Sequence, residues 1–291
     1  MPLPNVIIIG VQKAGTTSLY NWISQHPDVY GDFAMKDFPF FANDEYYKRG
    51  IDWFRHCFKK HKKEKIVLHG YVNYMYFSRI SAERIYDFNK DIKLILILRN
   101  PIERAYSAYW QQIKMGNEKI KNFEEALRLE HIRREGTFKD RADLTYIEHG
   151  FYHRQLNEYL KWFSREQIMI ILFEDMISNK EAVVEKVYEF LGVDGTFIPS
   201  LAINNKPGVP RFEIIQRLLT YPLLPLGLKE IVPLNYRIKI RIFLKELNIK
   251  RQKYPPMKEK TKEFLINIYK NEIEKLPDLI ERDVTHWMQL K

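Results

Sequence analysis

The chain has 291 residues, 45% of them apolar, enough for one large core or an α/β domain with extensions, and a formal charge of +10. Its single cysteine, Cys57, excludes an intrachain disulfide and a cysteine-built zinc site. No apolar run approaches the roughly 20 residues that cross a bilayer, and residues 1–5 lack the pattern of a secretory signal, so a soluble protein of the reducing cytoplasm is expected.

Residues 6–9, Val-Ile-Ile-Ile, read as a short buried strand. They run into Gly10-Val11-Gln12-Lys13-Ala14-Gly15-Thr16-Thr17, and an amphipathic helix is predicted from Ser18 to Gln25. A glycine loop between strand and helix start offers unpaired amides and the positive end of the helix dipole to an anion. Lys13 adds a full charge, so the segment is a phosphate cradle. It is not a Walker A loop, which needs lysine directly after the second glycine, nor a three-glycine dinucleotide loop.

The next motif lies at residues 93–101, Lys-Leu-Ile-Leu-Ile-Leu-Arg-Asn-Pro. Continuous hydrophobicity suits a strand buried on both faces of a parallel sheet. Pro101 fits the first position of a helix that residues 102–112 continue. Arg99 then stands at the carboxyl end of a strand, where open α/β sheets bind ligands, and Ser107 lies about two turns into the helix.

These two motifs resemble the 5′-phosphosulfate loop and the 3′-phosphate motif of sulfotransferases that use 3′-phosphoadenylyl sulfate (PAPS). The likeness continues through His26-Pro27, the loop Lys36-Asp37-Phe38-Pro39-Phe40-Phe41, residues 47–54, Gly150-Phe151-Tyr152, a strand at 167–173 followed by Glu174-Asp175-Met176, Asn205-Lys206-Pro207-Gly208, Pro255-Pro256-Met257 and Asp283-Val284-Thr285-His286-Trp287. It is strongest to bacterial stand-alone sulfotransferases and to the sulfotransferase domains that modify heparan sulfate. The resemblance implies an α/β fold, a P-loop-like central parallel sheet flanked by helices with a helical C-terminal extension. It also implies one domain over residues 1–291, with a core at 1–205 and a nucleotide-closing loop and helical layer at 206–291.

The implied chemistry is transfer of a sulfuryl group from PAPS to a hydroxyl or amine of a small-molecule or saccharide acceptor, leaving adenosine 3′,5′-bisphosphate (PAP), without a metal. The nucleotide would be held by Lys13, Ala14, Gly15, Thr16, Thr17, Ser18, Arg99, Ser107, Lys206 and Gly208. Lys36, Asp37, Tyr71 and Tyr152 would line the acceptor site, and Lys13 would offset charge on the leaving phosphate. In those relatives the strand between the two motifs ends in a glutamate. Here Ile66-Val67-Leu68-His69 stands in its place, so His69 is expected as the general base, with Asp37 as the alternative. A magnesium-dependent kinase and a nucleotide-binding module without catalysis are the rival readings.

The positive charge concentrates in Lys59-Lys60-His61-Lys62-Lys63-Glu64-Lys65 and in the last hundred residues, as at Arg237-Ile238-Lys239-Ile240-Arg241. Such runs are solvated faces or steer anionic ligands, and no nucleic-acid-binding pattern accompanies them. Residues 115–145, charged and poor in aromatics, read as an exposed helical excursion bordering the acceptor cleft. The Leu/Pro-rich stretch 218–234 and the basic residues 237–247 fit a helical layer packed on the sheet, a lid over the acceptor or an interfacial membrane contact.

Overall fold

Five apolar segments form a parallel sheet in the computed structural model of the protein: β1 (Val6–Gly10), β2 (Val29–Gly31), β3 (Ile66–Gly70), β4 (Lys93–Leu98) and β5 (Ile168–Leu172). Their order is β2-β3-β1-β4-β5, with every neighbouring pair parallel. The structure describes residues 3–202, 208–220, 243–245 and 247–290. All of β1 and β3, and all of β4 beyond Lys93, are buried, as their unbroken apolar runs require of a sheet covered on both faces. Helix Ser78–Phe88 packs against Tyr152–Leu160, and Thr16–Ile23 against Lys180–Leu191.

Strand β1 is central: after it the chain builds β2 and β3 on one side, then crosses to β4 and β5 on the other. That makes the carboxyl ends of β1, β3 and β4 the switch point where such sheets bind ligands. The β1–β4 register slips between Ile8 and Gly10, and a bulge of this kind redirects the strand as it enters its loop. The predicted strand at 93–98 is found as expected, and the helix after it runs Pro101–Met115 with proline at its first position.

The described residues divide into two compact units. The first contains the sheet and consists of Met1–Arg104, Ile147–Asn204 and Lys262–Lys291. Its last helix, Glu259–Ile280, buries Leu265, Tyr269, Ile273, Leu276 and Ile280 along one stripe. The Tyr269 hydroxyl donates to the Ile147 carbonyl (2.8 Å), and only glycine fits at position 150, where a Cβ would lie 2.7 Å from the Tyr269 ring.

The second unit is Ala105–Tyr146 with Asn205–Thr261. Residues 115–145 form three short helices there, Phe123–Arg128, Glu130–Arg134 and Phe138–Asp143. They are not simply an exposed excursion. Glu118 is buried and receives two bonds from Arg133 (2.8 and 2.9 Å), the Tyr146 hydroxyl (2.7 Å) and the amides of Lys119 and Ile120. A buried carboxylate is stable only when so fully paired. Residues 205–207, including Lys206, and 221–242, which hold most of the Leu/Pro-rich stretch and the Arg237–Arg241 run, lie outside the described residues. Gly208 precedes the short antiparallel pair of Val209–Pro210 with Ile249–Lys250. A Cβ on it would sit 2.6 Å from Ile249.

Candidate functional site

The cradle is shaped by two glycines and one strained lysine. Gly10 has φ 149°, and a Cβ there would meet the Val72 carbonyl at 3.0 Å and Met75 at 3.1 Å. Gly15 has φ 87°, and a Cβ there would meet Met176 at 3.2 Å and Phe173 at 3.3 Å. Between them Lys13 holds φ 71°, a left-handed backbone that costs a side-chain-bearing residue of order 1 kcal/mol and gathers at functional sites. Helix Thr16–Ile23 begins at once, so the amides of Thr16 and Thr17 precede any intrahelical acceptor. Both lie at the loop end of the helix; Ala14 is buried and Ser18 lies in the first turn.

Arg99 follows β4 and braces the loop from the neighbouring strand. One terminal nitrogen donates to the Lys13 carbonyl (3.0 Å), the other pairs with Glu103 (3.2 Å), and the guanidinium lies 4.8 Å from the Phe173 ring centre. Its buried Nε has no hydrogen-bond partner, which is rare for a buried donor. Ser107 sits on helix Pro101–Met115, half-buried.

The acceptor-side residues divide sharply. Lys36, Asp37 and Tyr71 line one shallow depression together with Thr16, Tyr20 and Gly70. The Lys36 ammonium pairs with Asp37 at 2.6 Å and is nearly buried, whereas the Asp37 side chain is 46% exposed. Asp37 has φ 66°, and its amide donates to the Gly70 carbonyl (2.7 Å), so the loop is tied to the end of β3 at this residue. Tyr152 is elsewhere. It is buried near Arg99, Arg104 and Glu174, and burial pushes its phenol well above the ordinary value.

His69 does not face the pocket either. It has no exposed surface and stands edge-on to Phe54 and Phe58 (5.2 and 6.2 Å between ring centres), with Phe41 at 6.4 Å. Nε2 lies 2.9 Å from the Tyr74 hydroxyl, and Nδ1 has the Met35 carbonyl nearby but outside hydrogen-bond geometry. Burial first, and the Lys36 charge second, lower its pKa to about 3. A ring that is sealed and so weakly basic cannot serve as the expected general base. The Tyr74 hydroxyl explains its presence, donating to the Phe38 carbonyl (3.2 Å) and accepting from the Phe41 amide (3.3 Å). His69 and Tyr74 thus clamp the loop that carries Asp37. Tyr20 and Tyr74 escaped the sequence reading because isolated tyrosines in apolar stretches look like core.

The buried histidine has a consequence for stability. Its folded pKa lies below the unfolded value of roughly 6.5, so the unfolded chain binds the proton more readily. Its stabilising contribution is complete above about pH 6.5 and falls as pH drops towards 3. Wild type is expected to lose about 2 kcal/mol between pH 7 and 5 from this residue alone. His69→Gln, less stable at neutral pH, should lack that increment when urea titrations are compared at both pH values. Parallel slopes for the two proteins would show that the ring ionises freely in the fold.

A family model, described as "Sulfotransferase domain", matches residues 3–203. Among curated proteins, the chain is 33% identical over 193 residues to Mus musculus heparan sulfate glucosamine 3-O-sulfotransferase 5, covering 66% of this chain and 54% of that protein. It is 32% identical over 197 residues to Homo sapiens heparan sulfate glucosamine 3-O-sulfotransferase 3B1, covering 66% and 46% respectively. The chain therefore spans about half the length of the curated relatives it matches. A crystal structure of a sulfotransferase from Alicyclobacillus acidocaldarius superposes with a TM-score of 0.74 at 26% identity, over 99% of this chain and 100% of that one.

Proposed function

The chain belongs to the sulfotransferase domain family, and from that premise we propose that it moves a sulfuryl group from PAPS to a hydroxyl or amine of a saccharide or small-molecule acceptor. One observation carries the reading. The start of the cradle helix (Thr16), the Lys36–Asp37 pair and Tyr71 line a single pocket at the carboxyl ends of β1 and β3. Nucleotide cradle and acceptor groups share one opening, as in-line transfer between two bound reactants needs.

The residues fit such a donor. The amides of Thr16 and Thr17 and the two threonine hydroxyls would hold its 5′-phosphate at the start of helix Thr16–Ile23. Arg99, with its unused Nε, would take the 3′-phosphate. PAPS supplies the activated sulfuryl group. Lys13 offsets the negative charge that grows on the phosphate side of the breaking bond. Asp37, not His69, takes the acceptor proton: it is a half-exposed carboxylate in the pocket, fixed by its own amide to β3 and flanked by Lys36. His69 and Tyr74 position Asp37 without touching the acceptor.

The nucleotide assignment has a direct test. PAP should raise the melting temperature well beyond 5′-AMP or ATP, because only a 3′-phosphate reaches Arg99. Arg99→Ala should remove about 2 kcal/mol of that preference, the scale of a charge-assisted hydrogen bond. Equal stabilisation by PAP and 5′-AMP in wild type would dismiss the 3′-phosphate role.

A further inference from the structure

Helix Glu213–Thr220, in the second unit, has its polarity reversed. Its glutamine points inward. Gln216 is 2% exposed, donates to the Lys114 carbonyl (2.7 Å) and accepts from Asn248 Nδ2 (2.9 Å). Asn248, also buried, accepts from the Phe212 amide (3.1 Å) and donates to the Phe212 carbonyl (2.9 Å). The apolar residues point outward instead. Phe212 is 62% exposed, Ile214 75% and Phe243 63%, and Ile215, Leu218, Leu244 and Leu247 are exposed with them. A water-facing helix does the opposite, and apolar side chains gathered in this number mark a surface made for contact.

Charge decides between occupants. In the sequence, residues 208–220 and 243–253 carry six Lys or Arg against two carboxylates, Glu213 and Glu246. Arg211, Lys250, Arg251 and Lys253 are exposed. A second copy of such a face would be repelled by its own charge. Apolar side chains flanked by cations match instead the boundary between anionic headgroups and acyl chains. At eight residues the helix is about 12 Å long, and none of the described helices is long and apolar enough to cross a membrane. It would lie along the surface.

We propose that this face docks the protein on the surface of an anionic lipid bilayer. The proposal is independent of the transfer chemistry above.

The test is co-sedimentation of the full chain with phosphatidylcholine vesicles, with and without phosphatidylglycerol, at low and high salt. Wild type should partition onto the anionic vesicles and be released by salt. Ile214→Ser combined with Leu218→Ser should weaken partitioning about tenfold or more, as expected for two apolar side chains withdrawn from the interface. Arg251→Ser combined with Lys253→Ser should do the same through charge. Both variants change exposed positions, so their melting temperatures should match wild type. Wild type left in the supernatant with anionic vesicles overturns the proposal, as does equal sedimentation of wild type and both variants. A lipid-free dimer that Ile214→Ser with Leu218→Ser disperses would also overturn it, giving the face to a second copy.

Discussion

Asp37→Asn is expected to lower turnover by about 10² to 10⁴, the usual contribution of a positioned general base, while PAP binding stays close to wild type. The amide keeps the size and the left-handed backbone that Asp37 adopts, since asparagine tolerates that conformation. It removes the negative charge and with it the ability to take a proton. Lys36 then loses the partner 2.6 Å away, so the variant must be checked for altered acceptor KM, separately from kcat. His69→Gln and Tyr74→Phe should show a different pattern. Both loosen the loop, so acceptor KM should rise along with the fall in kcat, and neither should remove an ionisation near pH 6.5 from the rate profile, because His69 is already neutral there. Retention of full turnover by Asp37→Asn at saturating acceptor would place the base elsewhere.

Lys13→Ala is expected to cost about 10² to 10³ in kcat, the scale on which one stabilising group for a developing anion is missed. PAP affinity should fall much less. The reasoning is differential: Lys13 matters most where negative charge is growing, and least with the finished product bound. Its backbone is the second part of the argument. Alanine at φ 71° is strained just as lysine is, so Lys13→Ala isolates the ammonium, whereas Lys13→Gly would also relax the loop. Arg99 donates to the Lys13 carbonyl, a main-chain atom that alanine retains. Equal losses of binding and turnover would assign Lys13 to ground-state affinity instead.

The parts of the structure legible in the sequence are those that depend on local pattern. The runs at 6–9 and 93–98 read as buried parallel strands, the resemblance placed another at 66–69, and the glycines around Lys13 marked the loop and the helix after it. The predicted start at Ser18 was two residues late, since the helix begins directly after Gly15. What sequence could not show was which face a residue joins. His69 stands at the end of a strand, where polar residues often reach a ligand. Its side chain instead enters a cage of Phe41, Phe54 and Phe58, supplied by segments whose docking no local pattern reports. Glu118 and Arg133 read as solvated charge for the same reason, because a fully paired buried carboxylate and a wet one look alike in one dimension. The exposed Ile214 and buried Gln216 reverse the polarity rule on which helix-face prediction rests.

Sulfuryl transfer itself is tested most directly by following the sulfur. The purified chain is incubated with PAPS labelled at sulfur and a panel of alcohols, amines and oligosaccharides, and the label is tracked by mass spectrometry alongside formation of PAP. The account predicts labelled acceptor from wild type in proportion to PAP released, and little from Asp37→Asn or Lys13→Ala under the same conditions. A chain that binds PAP tightly yet never moves the label from the nucleotide to any acceptor, or moves it equally well without Lys13 and Asp37, would contradict it.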